Sequence, residues 1–257
     1  MSEFSQIEWT DSTWNPTTGC TRVSSGCDHC YALSLAHGRL SEIYSRKLPV
    51  INTEINQLDP FAVRLWPERL KDPRRWQSPR MIFVNSMSDL FHVDVPEPFV
   101  REIFQVMLAV DRHIYQVLTK RPSRMRRFVE RNGDLFPDGE VPGHIWMGTS
   151  VESQDVVYRV RHLTLVPAAT RFLSCEPLLG PLDLDLHGLH WVIGGGESGI
   201  GYRPCEPQWA QSLRDQCVAS DVPFFWKQWG GRTPKAKGRM LDGRTWDEMP
   251  ARIPEVV

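Results

Sequence analysis

Short apolar runs rich in β-branched and aromatic residues recur along the chain, and between them lie stretches whose apolar positions repeat with helical spacing. Strands are predicted at Met81 to Ser86, Ile114 to Thr119, Ile145 to Thr149, Arg171 to Ser174, Trp191 to Gly194 and Phe224 to Lys227. Helices are predicted at Glu97 to Val110, Pro122 to Arg131, Gln154 to Leu163 and Pro207 to Ala219, several opened by proline or a polar cap. A further strand is expected ahead of Cys20, and a helix from about His29 to Leu40. Ser41 to Trp76 is less regular: a strand near Phe61 to Leu65 fits its pattern, but its prolines and charges also suit an irregular lid. The alternation is the βαβ rhythm of a parallel sheet. Seven or eight such units predict an α/β fold, a complete or partial TIM-type (β/α) barrel, with residues 1–257 as a single domain and an irregular insertion near 41–76.

In such barrels the functional groups gather at the C-terminal ends of the strands. Each apolar run here is followed by polar residues: Asn85-Ser86, Thr119-Lys120, Thr149-Ser150-Val151-Glu152, Ser174-Cys175-Glu176, Gly194-Gly195-Gly196-Glu197 and Lys227-Gln228-Trp229. Turn and cap preferences account for Ser, Asn and Gly in these places. They do not account for Lys120, Glu152, Glu176, Glu197 and Lys227, which are expected to face one mouth.

Three cysteines, Cys20, Cys27 and Cys30, stand C-x6-C-x2-C on a Gly- and Ser-rich segment. Three thiolates at such spacing suit a soft metal centre: a cubane cluster held by three leaves one iron open, whereas structural zinc takes a fourth ligand such as His29 or His37. A disulfide framework is not expected, because 257 residues bury a core without staples and no apolar signal segment precedes the first motif. A cytoplasmic location follows from the same reading. With 41% hydrophobic and 24% charged residues, the chain has the composition of a folded, non-membrane protein. A formal net charge of -1 argues against a generic nucleic-acid coat. Local basic runs at Lys120 to Arg127 and Arg232 to Arg239 keep nucleic acid among the candidate partners.

The cysteine segment resembles the cluster loop of the radical S-adenosylmethionine superfamily, although the usual first gap is three residues and the usual aromatic precedes the last cysteine, where His29 stands here. Ile7 to Pro16, Phe172 to Leu178 and Gly194 to Gly199, together with that loop, are similar over nearly the whole chain to a phage and bacterial family of unknown function regarded as radical-SAM-like. This resemblance implies a 4Fe-4S cluster on Cys20, Cys27 and Cys30, with S-adenosylmethionine on the open iron as source of a 5'-deoxyadenosyl radical. It also implies an electron donor such as a flavodoxin or ferredoxin. Asn85, Ser86, Glu152, Glu176, Gly194, Gly195, Gly196 and Glu197 are then the expected cofactor shell. Cys175 and Cys205 are candidate catalytic hydrogen-atom donors, with packing as the alternative role. Ten tryptophans include Trp9, Trp14, Trp226 and Trp229 in or beside predicted mouth loops, and Lys120, Trp226, Lys227 and Trp229 are the expected substrate contacts. The substrate reading is a nucleic acid or nucleotide. The alternatives are a peptide or small metabolite, or a noncatalytic zinc or iron-sulfur module.

Overall fold

The computed structural model describes residues 5–250. Its strands are β1 (Ser12–Trp14), β2 (Thr17–Thr18), β3 (Arg64–Leu65), β4 (Met81–Val84), β5 (Ile114–Thr119), β6 (Val141–Ser150), β7 (Ala168–Cys175), β8 (Trp191–Gly194) and β9 (Phe224–Trp226). The α-helices are α1 (Tyr31–His37), α2 (Ser41–Ser45), α3 (Glu54–Leu58), α4 (Asp72–Arg75), α5 (Glu97–Ala109), α6 (Pro122–Arg131), α7 (Tyr158–Thr164) and α8 (Pro207–Ala219). Seven strands form one parallel sheet in the order β1-β4-β5-β6-β7-β8-β9, so spatial order follows chain order throughout. That is the winding of a (β/α) barrel. The sheet stops as a half-barrel, because β1 and β9 do not pair with each other and the closed form of the expectation is not reached.

Side-chain alternation explains why the half-barrel is sufficient. On one face Ile82, Val84, Tyr115, Val117, Ile145, Met147, Leu173, Val192 and Phe224 pack with the helices in the main core. On the other, Phe83, Trp146, Phe172, Trp191, Ile193 and Phe225 form a second buried layer with Trp9, and Ile7 and Met249 pack against it. Trp191 is its hub, with ring centroids 5.6 Å from Trp146, 5.7 Å from Phe172, 6.1 Å from Phe225 and 6.3 Å from Trp9. The two end segments are tied there by hydrogen bonds: Trp191 Nε1 donates to the Glu248 carbonyl at 2.8 Å, and Gln116 Nε2 to that of Trp9 at 3.0 Å. The concave face is thus covered by the chain's own end segments. Gly148 makes the layer fit, since a Cβ there would lie 2.4 Å from the Phe172 ring.

The insertion supplies four short helices or helical turns and a strand. β3 pairs antiparallel with β2, which fastens the segment after β1 to the insertion. The helix expected over His29 to Leu40 is shorter, since α1 ends at His37 before Gly38, and α2 starts beyond the expected span at Ser41. Gln154 to Leu163 divides into a 3-10 turn at Gln154–Val156 and α7.

Candidate functional site

The cysteine segment lies between β2 and α1, over the C-terminal ends of the parallel strands, and polar side chains from those ends hold it down. Ser24 Oγ donates to Glu152 Oε1, and Gly26 sits so close that a Cβ would come within 2.7 Å of the same carboxylate. Glu152 is fully buried and is balanced by Arg159, whose Nη1 donates to Glu152 Oε2 at 2.9 Å and to the Ser150 carbonyl at 3.0 Å. Two charges in this setting repay their desolvation only through such close geometry.

A second anchor stands at the end of β8. His29 Nδ1 lies 2.8 Å from Glu197 Oε2, and Arg203 donates from its backbone N–H at 2.8 Å and from Nε at 3.0 Å to the same oxygen. Arg203 Nη2 also donates to the Ser25 carbonyl at 2.9 Å. Burial works to raise the Glu197 pKa, but the bonds from Arg203 and His29 outweigh it and leave the carboxyl below its ordinary range. The third anchor is Arg121, just after β5, which bonds to Asp89 at 2.9 Å and to the Thr21 carbonyl at 3.1 Å, and comes 3.5 Å from Cys20 Sγ. The Cys20 thiol is nevertheless pushed up to about 11, chiefly by burial and then by Asp89, against the pull of Arg121.

Inside this ring lies a polar cup above the aromatic layer. Glu176 Oε1 pairs with Lys227 Nζ at 2.9 Å, and Ser174 Oγ donates to Glu176 Oε2 at 3.3 Å. Gly195 leaves room for that carboxylate, because a Cβ would lie 3.0 Å from Oε1. Asn15 Nδ2 donates to Ser86 Oγ at 3.1 Å, and the Tyr31 hydroxyl donates to the Ser86 carbonyl. Asn85, with φ 62 at the end of β4, is 2% exposed, and neither Nδ2 nor Oδ1 has a partner. A buried carboxamide left this way costs about 1–3 kcal/mol. Lys120 is half-buried, and its ammonium has no acidic partner among the described residues.

Several placements differ from the expectation. Cys175 is fully buried on the helix side of β7, where its neighbours are core residues, so it does not line the mouth. Trp226, expected as a substrate contact, is likewise fully buried on the helix side of β9, in line with alternation from Phe225 on the concave face. Trp14 belongs to the helix-side core and Trp9 to the concave layer. Cys205 packs against the helix-side core beside Gly196, and burial pushes its thiol up to about 12. Trp229 is half-buried, edge-on to Trp226 at 4.8 Å, with Nε1 donating to the Met240 carbonyl. Glu152 and Glu197 stand at the strand ends, but both are engaged with the cysteine loop. Gly194 packs beside Trp226 and Leu213, while Gly196 approaches the Trp229 carbonyl, 2.2 Å from where a Cβ would be. Asn85, Ser86, Glu176, Gly195 and Lys227 are the predicted residues gathered around the cup.

Arg121, Arg159, Arg203, Asn15 and Tyr31 were not among the expected site residues. Arg121 follows the end of β5 by two residues and carries a sequence signal of position; Arg203, nine residues beyond β8, and Arg159, inside a helix, carry none.

Residues 4–250 match a family model described as a protein of unknown function, DUF5131. The chain belongs to that family. No curated protein and no solved structure matches the chain.

Proposed function

We propose that this protein holds a thiolate-ligated iron-sulfur cluster on Cys20, Cys27 and Cys30 and performs radical S-adenosylmethionine chemistry, with its substrate over the strand-end cup. The observation that carries this reading is the pinning of the cysteine segment, at Thr21, Ser24, Ser25 and His29, to groups at or just beyond the ends of β5, β6 and β8.

The donor set suits such a group in type. All three thiols are free and partly exposed, and thiolates are the usual ligands of iron-sulfur clusters. Among the described residues, no three Cys, His, Asp or Glu side chains stand close enough to ligate an ion as they are placed, so binding requires the loop to draw its thiols together. When bound, the cluster with S-adenosylmethionine would supply a carbon-centred radical.

The chain's own residues would bind, orient and shield. Asn85 offers an unpaired donor and acceptor, and the Glu176 carboxylate, paired with Lys227, offers charge to an ammonium group. The aromatic layer beneath closes the cup to water from below. Cys205, half-buried and held in the S–H form by its raised pKa, is the remaining candidate for hydrogen-atom return, and this role needs it to reach the mouth from its packing beside Gly196.

A zinc reading has one observation of its own. Glu197 holds His29 at Nδ1, which leaves Nε2 free in the manner of a carboxylate-oriented metal ligand. His37 is 3.2 Å from Asp59 and is engaged there. Anaerobic purification with metal and sulfide analysis separates the two readings. About four iron and four sulfide per chain are expected for the cluster; a colourless protein with one zinc would overturn it.

A further inference from the structure

Helix α6 begins immediately after the mouth and carries Arg124, Arg127 and Arg131 at i, i+3 and i+7, on one face. These three line a cavity of about 260 Å³ between α5 and α6, floored by Leu90, Phe91 and Phe128. Their charges are poorly balanced. Arg127 has no acidic partner among the described residues, Arg131 is 3.8 Å from Glu97, and Arg124 uses only Nε, on the Phe91 carbonyl at 2.8 Å. Arg126, off that face, is paired with Glu130 at 2.6 Å. The helix therefore neutralises Arg126, holds Arg131 by a long contact to Glu97, and leaves Arg124 and Arg127 without an acidic partner among the described residues.

The cavity also touches the cysteine loop. His92 lines it and lies 2.7 Å from Thr21 Oγ1, one residue from Cys20. With unpaired Lys120 at the mouth, four cations at positions 120, 124, 127 and 131 run outward from the cup. The three on the helix span about 10 Å, at 1.5 Å per residue, long enough to meet at least two successive phosphates of an extended strand. Guanidiniums in a row suit a chain of phosphates, each of which offers an oxygen pair to a planar fork.

We infer that the α5–α6 groove binds the phosphodiester backbone of a single-stranded nucleic acid and leads it toward the strand-end cup. The groove is a binding site whether or not a cluster is present, and its role in substrate delivery rests on the reading proposed above. Phosphate contacts of this kind carry no base preference.

The test is fluorescence anisotropy with a labelled mixed-sequence 20-nucleotide strand, at salt from about 50 to 200 mM, using the full chain with its metal content measured in parallel. Each lost phosphate contact lowers the slope of log affinity against log salt by about 0.7. Arg127→Gln with Arg131→Gln should flatten the slope by about 1.4 and weaken binding at least tenfold at the lower salt. Adding Arg124→Gln should flatten it further; the double variant stands alone if loss of the Phe91 contact disturbs folding. Arg126→Gln should change neither quantity. The inference is overturned if the unmodified protein does not bind the strand, if the double variant keeps the full slope, or if millimolar inorganic phosphate displaces the strand completely. Iron or zinc content unchanged by these variants separates failure here from failure of the cluster reading.

Discussion

The aromatic layer on the concave face and the polar rim just above it are built from alternate residues of the same strands, yet they are held in different ways. On β7, Phe172 lies in the layer, while Ser174 and the following Glu176 belong to the rim. In the layer the rings are joined through Trp191, which meets four of them, and Trp9 links Phe83 to it. At the rim each carboxylate depends on one or two partners: Glu152 on Arg159, Glu176 on Lys227, and Glu197 on Arg203 and His29. Apolar contact is shared and non-directional, so the layer tolerates adjustment. A buried charge is satisfied by particular atoms, and loss of one partner leaves the full desolvation cost in place.

Trp191→Ala should cost about 3–5 kcal/mol, the range for large-to-small core changes, seen as a fall in Tm of roughly 6–20 °C. Arg159→Ala removes far less apolar surface yet should cost a comparable ~3–5 kcal/mol, because Glu152 is left buried and unpaired. Urea denaturation compares the two directly. If Arg159→Ala costs under ~1 kcal/mol, the contrast between shared and one-to-one support fails. The double variant Glu152→Gln, Arg159→Met should recover most of the loss, because no buried charge remains and the amide oxygen still accepts from Ser24.

Glu197→Gln should cost roughly 1.5–3 kcal/mol, the range for bonds to charged groups, and should act on the loop rather than the whole fold. Limited proteolysis within residues 21–30 should accelerate while Tm moves little. The same anchor sets a pH response. The folded-state pKa of Glu197 is depressed, so its contribution is complete above the ordinary carboxylate range and is lost as pH falls through the depressed value. Loop protection measured by hydrogen exchange between pH 7 and pH 3 should therefore decline toward the acid end, and Glu197→Gln should flatten that dependence.

The smallest effect is expected at Cys175. Burial holds its thiol well above the ordinary value, so it should resist alkylation at neutral pH in the folded protein. Cys175→Ala should cost about 1 kcal/mol, near the value of one buried methylene, and should leave metal content and any turnover unchanged. Loss of turnover with an intact fold would return Cys175 to the chemistry.

The periodicity of apolar residues was enough to locate the sheet, because burial on both faces of a parallel strand demands continuous apolar runs. Ile114–Thr119, Trp191–Gly194, Pro122–Arg131 and Pro207–Ala219 stand where the pattern places them. The strand-end polar residues were also legible, since they follow each run directly. Which way each one faces was not. Cys175 and Trp226 adjoin Glu176 and Lys227, which pair with each other at the strand ends, but one step along a strand reverses the face. Likewise, Arg159 under Glu152 and Arg203 over Glu197 are only seven and six residues away in sequence, yet each pairing depends on how the intervening turn folds and has no periodic signature in the chain.

Local chemistry thus determined what this protein can place at the strand ends: three thiols on one loop, and carboxylates and lysines after successive strands. Only the tertiary structure decided how they are used, with Glu152 and Glu197 committed to the loop, Glu176 and Lys227 set around the cup, and the sheet left open beneath its own end segments. The physical reason is range. Backbone alternation and turn preference act over a few residues, whereas charge pairing and ring packing are settled by whichever distant segments burial brings together.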